Sequence, residues 1–123
     1  KVLKKIVDIS DSIPVARVTF TFEGKYLAHV MPHFYSMHFD GLGNEYDISR
    51  SIENLSRLNL INLFDGSVTN FDYKEFERAP YVKNRFDYAV KNNPERQLTI
   101  KISEYTIQEN DIGHQFANVC ILD

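Results

Sequence analysis

Apolar residues along this chain change their spacing eight or so times, and each change marks an element. In "KVLKKIVDI", Val2, Leu3, Ile6 and Val7 fall on one side and Lys1, Lys4, Lys5 and Asp8 on the other, which is helical spacing. Ser10, Asp11 and Ser12 end that helix, and Pro14 disfavours the helical region for Ile13. "VARVTFTF" then alternates, with Val18, Phe20 and Phe22 against Arg17, Thr19 and Thr21, so the period becomes that of a half-buried strand. Glu23-Gly24 predicts a turn into a second strand, "KYLAHVM", stopped at Pro32. "PHFYSMHFDGLGNEY" is aromatic, irregular and Gly-punctuated, and reads as a loop or a short helix.

The clearest helix is "DISRSIENLSRLN". Its stripe is Ile48, Ile52, Leu55 and Leu58, with Asp47 as the expected N-cap and Asn59 as a left-handed C-terminal cap. It runs directly into an apolar strand, "LINLF". The stretch 70–93 is helical in pattern and broken at Pro80, with Phe71, Phe76, Tyr81, Val82, Phe86, Tyr88 and Ala89 at its apolar positions. In "QLTIKISEYTIQ", Leu98, Ile100 and Ile102 alternate in one phase and Tyr105 and Ile107 in the other, which predicts a hairpin turning at Ser103-Glu104. "NDIGHQFANVCIL" predicts a last helix capped by Asn110, with Ile112, Phe116, Val119 and Cys120 on its buried face.

These elements predict one α+β domain over residues 1–123, a short antiparallel sheet with packed helices and a helical insertion at about 71–92. Residues 60–64 are expected to pair with the hairpin at 98–108. Leu55, Leu60, Ile100, Ile107 and Phe116 are expected to share one core. Helix, strand, hairpin and helix in this order make the domain winged-helix-like, the hairpin being the wing. The segment 15–46 stands where the usual second helix would be.

Two runs carry a family resemblance. "SIENLSRLNLINL" resembles a recurring run of the abortive-infection alpha family of bacterial proteins, in which an Asn-Leu pair precedes an Arg-Leu-Gly-Leu-Ile core. "YTIQENDIGHQFANVC" resembles that family's closing segment through Asn110, Gly113, Phe116 and Cys120. Asn59 stands where the family run has Gly, and the need for a left-handed cap explains the exchange. Residues 15–46 match no part of the pattern. The resemblance covers about residues 47–64 and 98–122, and the helical stretch 71–92 has the expected length and character. It implies a phage-exclusion protein of bacteria or their mobile elements, and it implies no catalytic residues.

Composition narrows the classes. Nine Phe and seven Tyr with no Trp point to a core filled by aromatic rings. Residues 1–64 carry seven Lys/Arg and seven Asp/Glu, and residues 65–123 carry seven against ten, so neither half attracts nucleic acid by bulk charge. A nucleic-acid partner is thereby disfavoured, though there is room for a small basic patch. Cys120 is the single cysteine, so no internal disulfide forms, which fits a cytoplasmic protein. The chain opens at Lys1, inside a helical pattern and without Met, and is read as a piece of a longer protein, so a membrane role is left undecided.

Candidate chemistry is sparse. Arg50, Asn54 and Arg57 cluster opposite Ile48 at the helical period, and such side chains read phosphates or base edges. The alternative is a solvated face on which Glu53 pairs with Arg57. Phe34, Tyr35, Met37 and Phe39 form an aromatic loop that either anchors a protein interface or belongs to the core. His29, His33, His38, His114 and Asp40 do not converge as a metal site requires, because Pro32 interrupts the helix that would stack the first two. Cys120 and His114 lie on different sides of their helix, so Cys120 reads as a structural thiol rather than a nucleophile. Gly41 and Gly43 lack the third Gly and the Lys of a phosphate loop. The expectation is a non-enzymatic interaction module with a protein partner and no cofactor, with a DNA-binding winged-helix regulator as the alternative.

Overall fold

A computed structural model describes residues 2–9, 11–27 and 31–119, and of Tyr26 the backbone alone. The order is α1 (Val2–Ile9), β1 (Ile13–Phe22), β2 (Lys25–Tyr26), a 3-10 turn (Met37–Phe39), α2 (Glu45–Arg57), β3 (Ile61–Asp65), α3 (Glu75–Arg78), α4 (Pro80–Asn92), β4 (Thr99–Glu109) and α5 (Asp111–Val119). The fold is α+β. Its antiparallel sheet has the order β2-β1-β4-β3, with the two-residue β2 at one edge. The expected second strand is cut to Lys25–Tyr26, and residues 28–30 lie outside the described residues.

Ser103 and Glu104 make no turn. β4 is one strand of 11 residues, in which Ser103 opposes Arg17 and Glu104 opposes Ala16 of β1. The expected hairpin is therefore corrected to a single strand, and the wing of the winged-helix likeness does not form. The segment 61–65 does pair with this strand, through Leu63↔Ile107 and Phe64↔Thr106. The phase change that suggested a turn has another cause. Side chains alternate across a strand. Odd positions Tyr105 and Ile107 point to one core, and even positions Leu98, Ile100 and Ile102 point to a second core on the other face.

β1 follows the same rule. Ile13 and Val15 enter the first core, while Ala16, Val18 and Phe20 enter the second. Helices α1 and α2 cover the first face through Leu3, Ile6, Ile48 and Ile52. Helices α3 and α4, the expected helical insertion, cover the second through Phe76, Val82 and Ala89. The single core expected for Leu55, Leu60, Ile100, Ile107 and Phe116 is thus two, with Ile100 in the second core and Phe116 exposed.

Pro14 sits inside β1 because its missing N–H costs nothing there. Ala16, two residues on and facing the same way, donates its N–H to Tyr35 rather than to β4, at 2.9 Å. The position of Pro14 therefore faces the sheet's open side. Pro80 is the first residue of α4, and Ala79 before it is extended at φ −60°, ψ 133°, which separates α3 from α4.

Candidate functional site

The passage from α2 into β3 without Gly or Pro is a Schellman closure. The Asn59 N–H donates to the Ser56 carbonyl at 3.0 Å, and the Leu60 N–H to the Leu55 carbonyl at 2.9 Å. Asn59 takes the left-handed conformation this needs, at φ 59°. The other end of α2 begins earlier than expected. Its N-cap is Asn44, whose Oδ1 accepts from the Tyr46 and Asp47 N–H groups, so Asp47 lies within the first turn.

This closure also receives α5. The Asn110 side chain donates to the Asn59 carbonyl at 3.0 Å and accepts from the Gly113 N–H at 2.7 Å, the expected N-cap. Gly113 is buried against Leu60, and Ala117, one turn later, packs on the first core. The inward face of α5 is therefore made of small residues, which lets the helix lie close to the backbone beneath it. The large apolar residues are turned outward. Ile112 is 54% exposed, Phe116 41% and Val119 82%, which corrects the expectation that they form the buried face. At 100° per residue these three fall within about 60° of one another, on a single stripe. Polar residues surround it: Asp111, Gln115 and Asn118 are exposed, and His114 Nδ1 lies 3.4 Å from Glu109 Oε2.

The aromatic loop is interior. Phe34 and Phe39 are buried in the first core and Tyr35 in the second, and the partly buried Met37 packs on the second. The Phe34 N–H donates to Ser49 Oγ and Ser36 Oγ donates to the Pro14 carbonyl, both at 2.9 Å. With the three rings enclosed and Met37 packed on the second core, the interface reading of Phe34, Tyr35, Met37 and Phe39 is replaced by the core reading.

Arg50, Asn54 and Arg57 are exposed on one face of α2, as the period requires. Both guanidinium groups are held on their own helix, Arg50 by Asp47 and Arg57 by Asn54 Oδ1 at 2.9 Å. Glu53 does not pair with Arg57; its Oε1 lies 3.9 Å from His33 Nδ1. Exposed pairs of this kind add little to stability.

Perturbed protons gather where the 3-10 turn, α2 and α4 meet. The Tyr35 hydroxyl donates to Asp40 at 3.1 Å, and its ring stacks on Tyr81 with centroids 5.3 Å apart. Burial, reinforced by Asp40, pushes the Tyr35 hydroxyl well above its ordinary value of 10.0. Burial also pushes Tyr81 up to about 12, against the opposing pull of Arg85. Burial and then Lys5 lower His38 below 6.5, with Asp40 acting the other way. Both phenols stay protonated at neutral pH, and that of Tyr35 is the donor to Asp40. Arg85 donates to the Tyr46 hydroxyl at 3.0 Å, which ties α4 to α2, and lies over the Tyr88 ring of its own helix at 6.0 Å.

Among the described residues, no group of three His, Cys, Asp or Glu could hold a metal ion, and no helix is long and apolar enough to cross a membrane. His29 and Cys120 lie outside the described residues. The sequence reading missed the outward stripe of α5. The signal for it was the small pair Gly113 and Ala117, four residues apart, which marks a helix face made for close approach.

The family model described as abortive infection alpha matches residues 1–120. No curated protein and no solved structure matches the chain.

Proposed function

The chain belongs to the abortive infection alpha family, and from that premise we propose that this domain is a non-enzymatic protein-interaction module of a bacterial abortive-infection protein, acting in the cytoplasm through α5. One observation carries the reading: Ile112, Phe116 and Val119 form an exposed apolar stripe at spacing i, i+4 and i+7 on a helix whose opposite side is fixed to the domain. That spacing is how a helix seats into an apolar groove of another protein. A flat pairing with a second copy is the poorer fit, since three side chains fall well short of the ~800 Å² per partner that a standard interface buries. A groove adds the flanks of the helix, including Asp111, Gln115 and Asn118. The cytoplasmic setting is supported by the single cysteine, which leaves no disulfide to be kept oxidised. A DNA-reading role draws less support, because β4 forms no wing and the candidate arginines are bonded along α2.

The test uses the double variant Ile112→Ser, Phe116→Ser in the full chain. Sedimentation velocity first establishes whether the chain self-associates. The expected result is a monomer whose purified host partner, identified by site-specific crosslinking at position 115, is captured by the wild-type protein and not by the variant, with unchanged circular dichroism. Concentration-dependent dimers lost in the variant would make the occupant a second copy, and capture that survives the variant would remove α5 from the interface.

A further inference from the structure

On the sheet face opposite α5 lies an open cavity of about 290 Å³ that the protein-contact reading does not use. Its floor comes from register. Phe64 on β3 stands directly opposite Thr106 on β4, and Gln108 follows two residues later on the same face. Ser12 and Asp11, just before β1, close one side, and the loop from Ser67 to Thr69 closes the other.

The walls are fixed by bonds among themselves. Gln108 Nε2 donates to Ser12 Oγ at 2.9 Å, and the Ser12 N–H donates to Asp11 Oδ1 at 2.7 Å. Thr106 Oγ1 donates to the Gly66 carbonyl at 2.8 Å, and the Tyr73 hydroxyl accepts from the Val68 N–H at 2.9 Å, so the loop is held to the sheet. The bracing takes the Thr106 hydroxyl proton and one Gln108 amide hydrogen, while Gln108 Oε1 and Asp11 Oδ2 meet no donor among the described residues. The Ser12 and Thr69 hydroxyls each retain a proton to give. Phe64, 43% exposed, supplies a bare aromatic ring beside these groups.

The charge of the lining selects the ligand class. No Lys, Arg or His is among the described residues lining the cavity, so a phosphate would meet the Asp11 carboxylate without a counter-cation. A metal ion would find one carboxylate where it needs several oxygen ligands. The volume is at the lower end of the ~300–1,000 Å³ found for small-molecule sites, enough for one ring system. We propose that this cavity binds a neutral ring bearing vicinal hydroxyls, a free monosaccharide or the ribose of a nucleoside. The C–H face of the ring packs on Phe64, and the hydroxyls bond to Asp11, Gln108 and Thr69. Because it lies on the opposite face from the α5 stripe, this site stands or falls separately from the protein-contact reading.

Amide-shift titration by NMR of the full chain tests it, with D-glucose, D-ribose, adenosine and 2′,3′-dideoxyadenosine as probes. The expected result is saturable shifts confined to residues around Phe64, Thr69 and Gln108, from at least one hydroxyl-bearing probe. Saturation by the free sugars assigns a saccharide, and saturation by adenosine alone assigns a nucleoside. Phe64→Ala should weaken binding about tenfold or more, the effect of removing an aromatic platform. Thr69→Val, in the loop and harmless to the sheet, should weaken it as well and covers the case in which Phe64→Ala unfolds the chain. Equal binding of adenosine and its dideoxy form would overturn the proposal, as would the absence of any saturable shift at tens of millimolar probe, on the order of the weakest useful affinities.

Discussion

A β-carbon placed on Gly113 would stand 1.8 Å from the Leu60 carbonyl oxygen and 2.9 Å from the Leu60 carbonyl carbon. Backbone meets backbone here, so neither side can rotate out of the way. The first turn of α5 is seated directly on Leu60, and Asn110 bonds the Gly113 N–H to the carbonyl of Asn59, the residue before it. Two helices and the start of β3 share one junction as a result.

Gly113→Ala should therefore destabilise the domain by about 1–3 kcal/mol, the range for overpacking at a site that has no room. Urea denaturation measures it as a lower midpoint at unchanged slope. Stability equal to wild type would mean that α5 is not docked on Leu60.

Asn59 offers a sign test at the same junction. With φ at 59°, Asn59→Gly should be neutral within about 0.5 kcal/mol, whereas Asn59→Ala should cost about 1 kcal/mol for holding a β-carbon in the left-handed region. The two variants compared in one thermal melt series decide it, and an Ala variant as stable as the Gly one would remove the Schellman closure.

Phe76 and Phe116 separate core from surface. Phe76 is fully buried, and Phe76→Ala should cost about 3–5 kcal/mol. Phe116→Ala should cost less than about 1 kcal/mol, since much of that ring is already in water. A large loss at Phe116 would return it to the core, where the helical pattern alone had put it.

The buried phenols set an alkaline limit. Tyr81 titrates near 12 in the folded chain and at about 10 when unfolded, so between those values the folded state holds the extra proton. Its stabilisation is complete below pH 10 and is lost as pH rises towards 12. Tyr81→Phe should flatten the fall of the urea midpoint between pH 9.5 and 11.5 (roughly the window in which the two states differ). An unchanged slope would show that the ring is solvated in the fold.

Local order was legible because it is written in neighbouring residues. The repeats of Leu3 and Ile6, of Ile48 and Ile52, and of Val82 and Ala89 each point to one helix face, and the structure buries that face. Asn59 announced a left-handed cap and Asn110 a helix start, because each works through bonds to residues three or four away. The family resemblance rested on the same two stretches.

What covers each element was settled by packing alone. The phase change along β4 suits a hairpin and equally suits a straight strand covered on opposite faces at its two ends; β1 pairing through Ser103 and Glu104 selects the strand. Phe34, Tyr35 and Phe39 could have been surface or core, and the cores on both faces of the sheet took them in. On α5 two faces were available for burial, one large and apolar, the other small. The Leu60 carbonyl lies too near for anything but Gly113, so the small face went inward and Ile112, Phe116 and Val119 were left in solvent. Hydrophobicity favours burying the larger stripe, but a carbonyl distant in sequence excludes it by volume, and only the folded chain brings that carbonyl there.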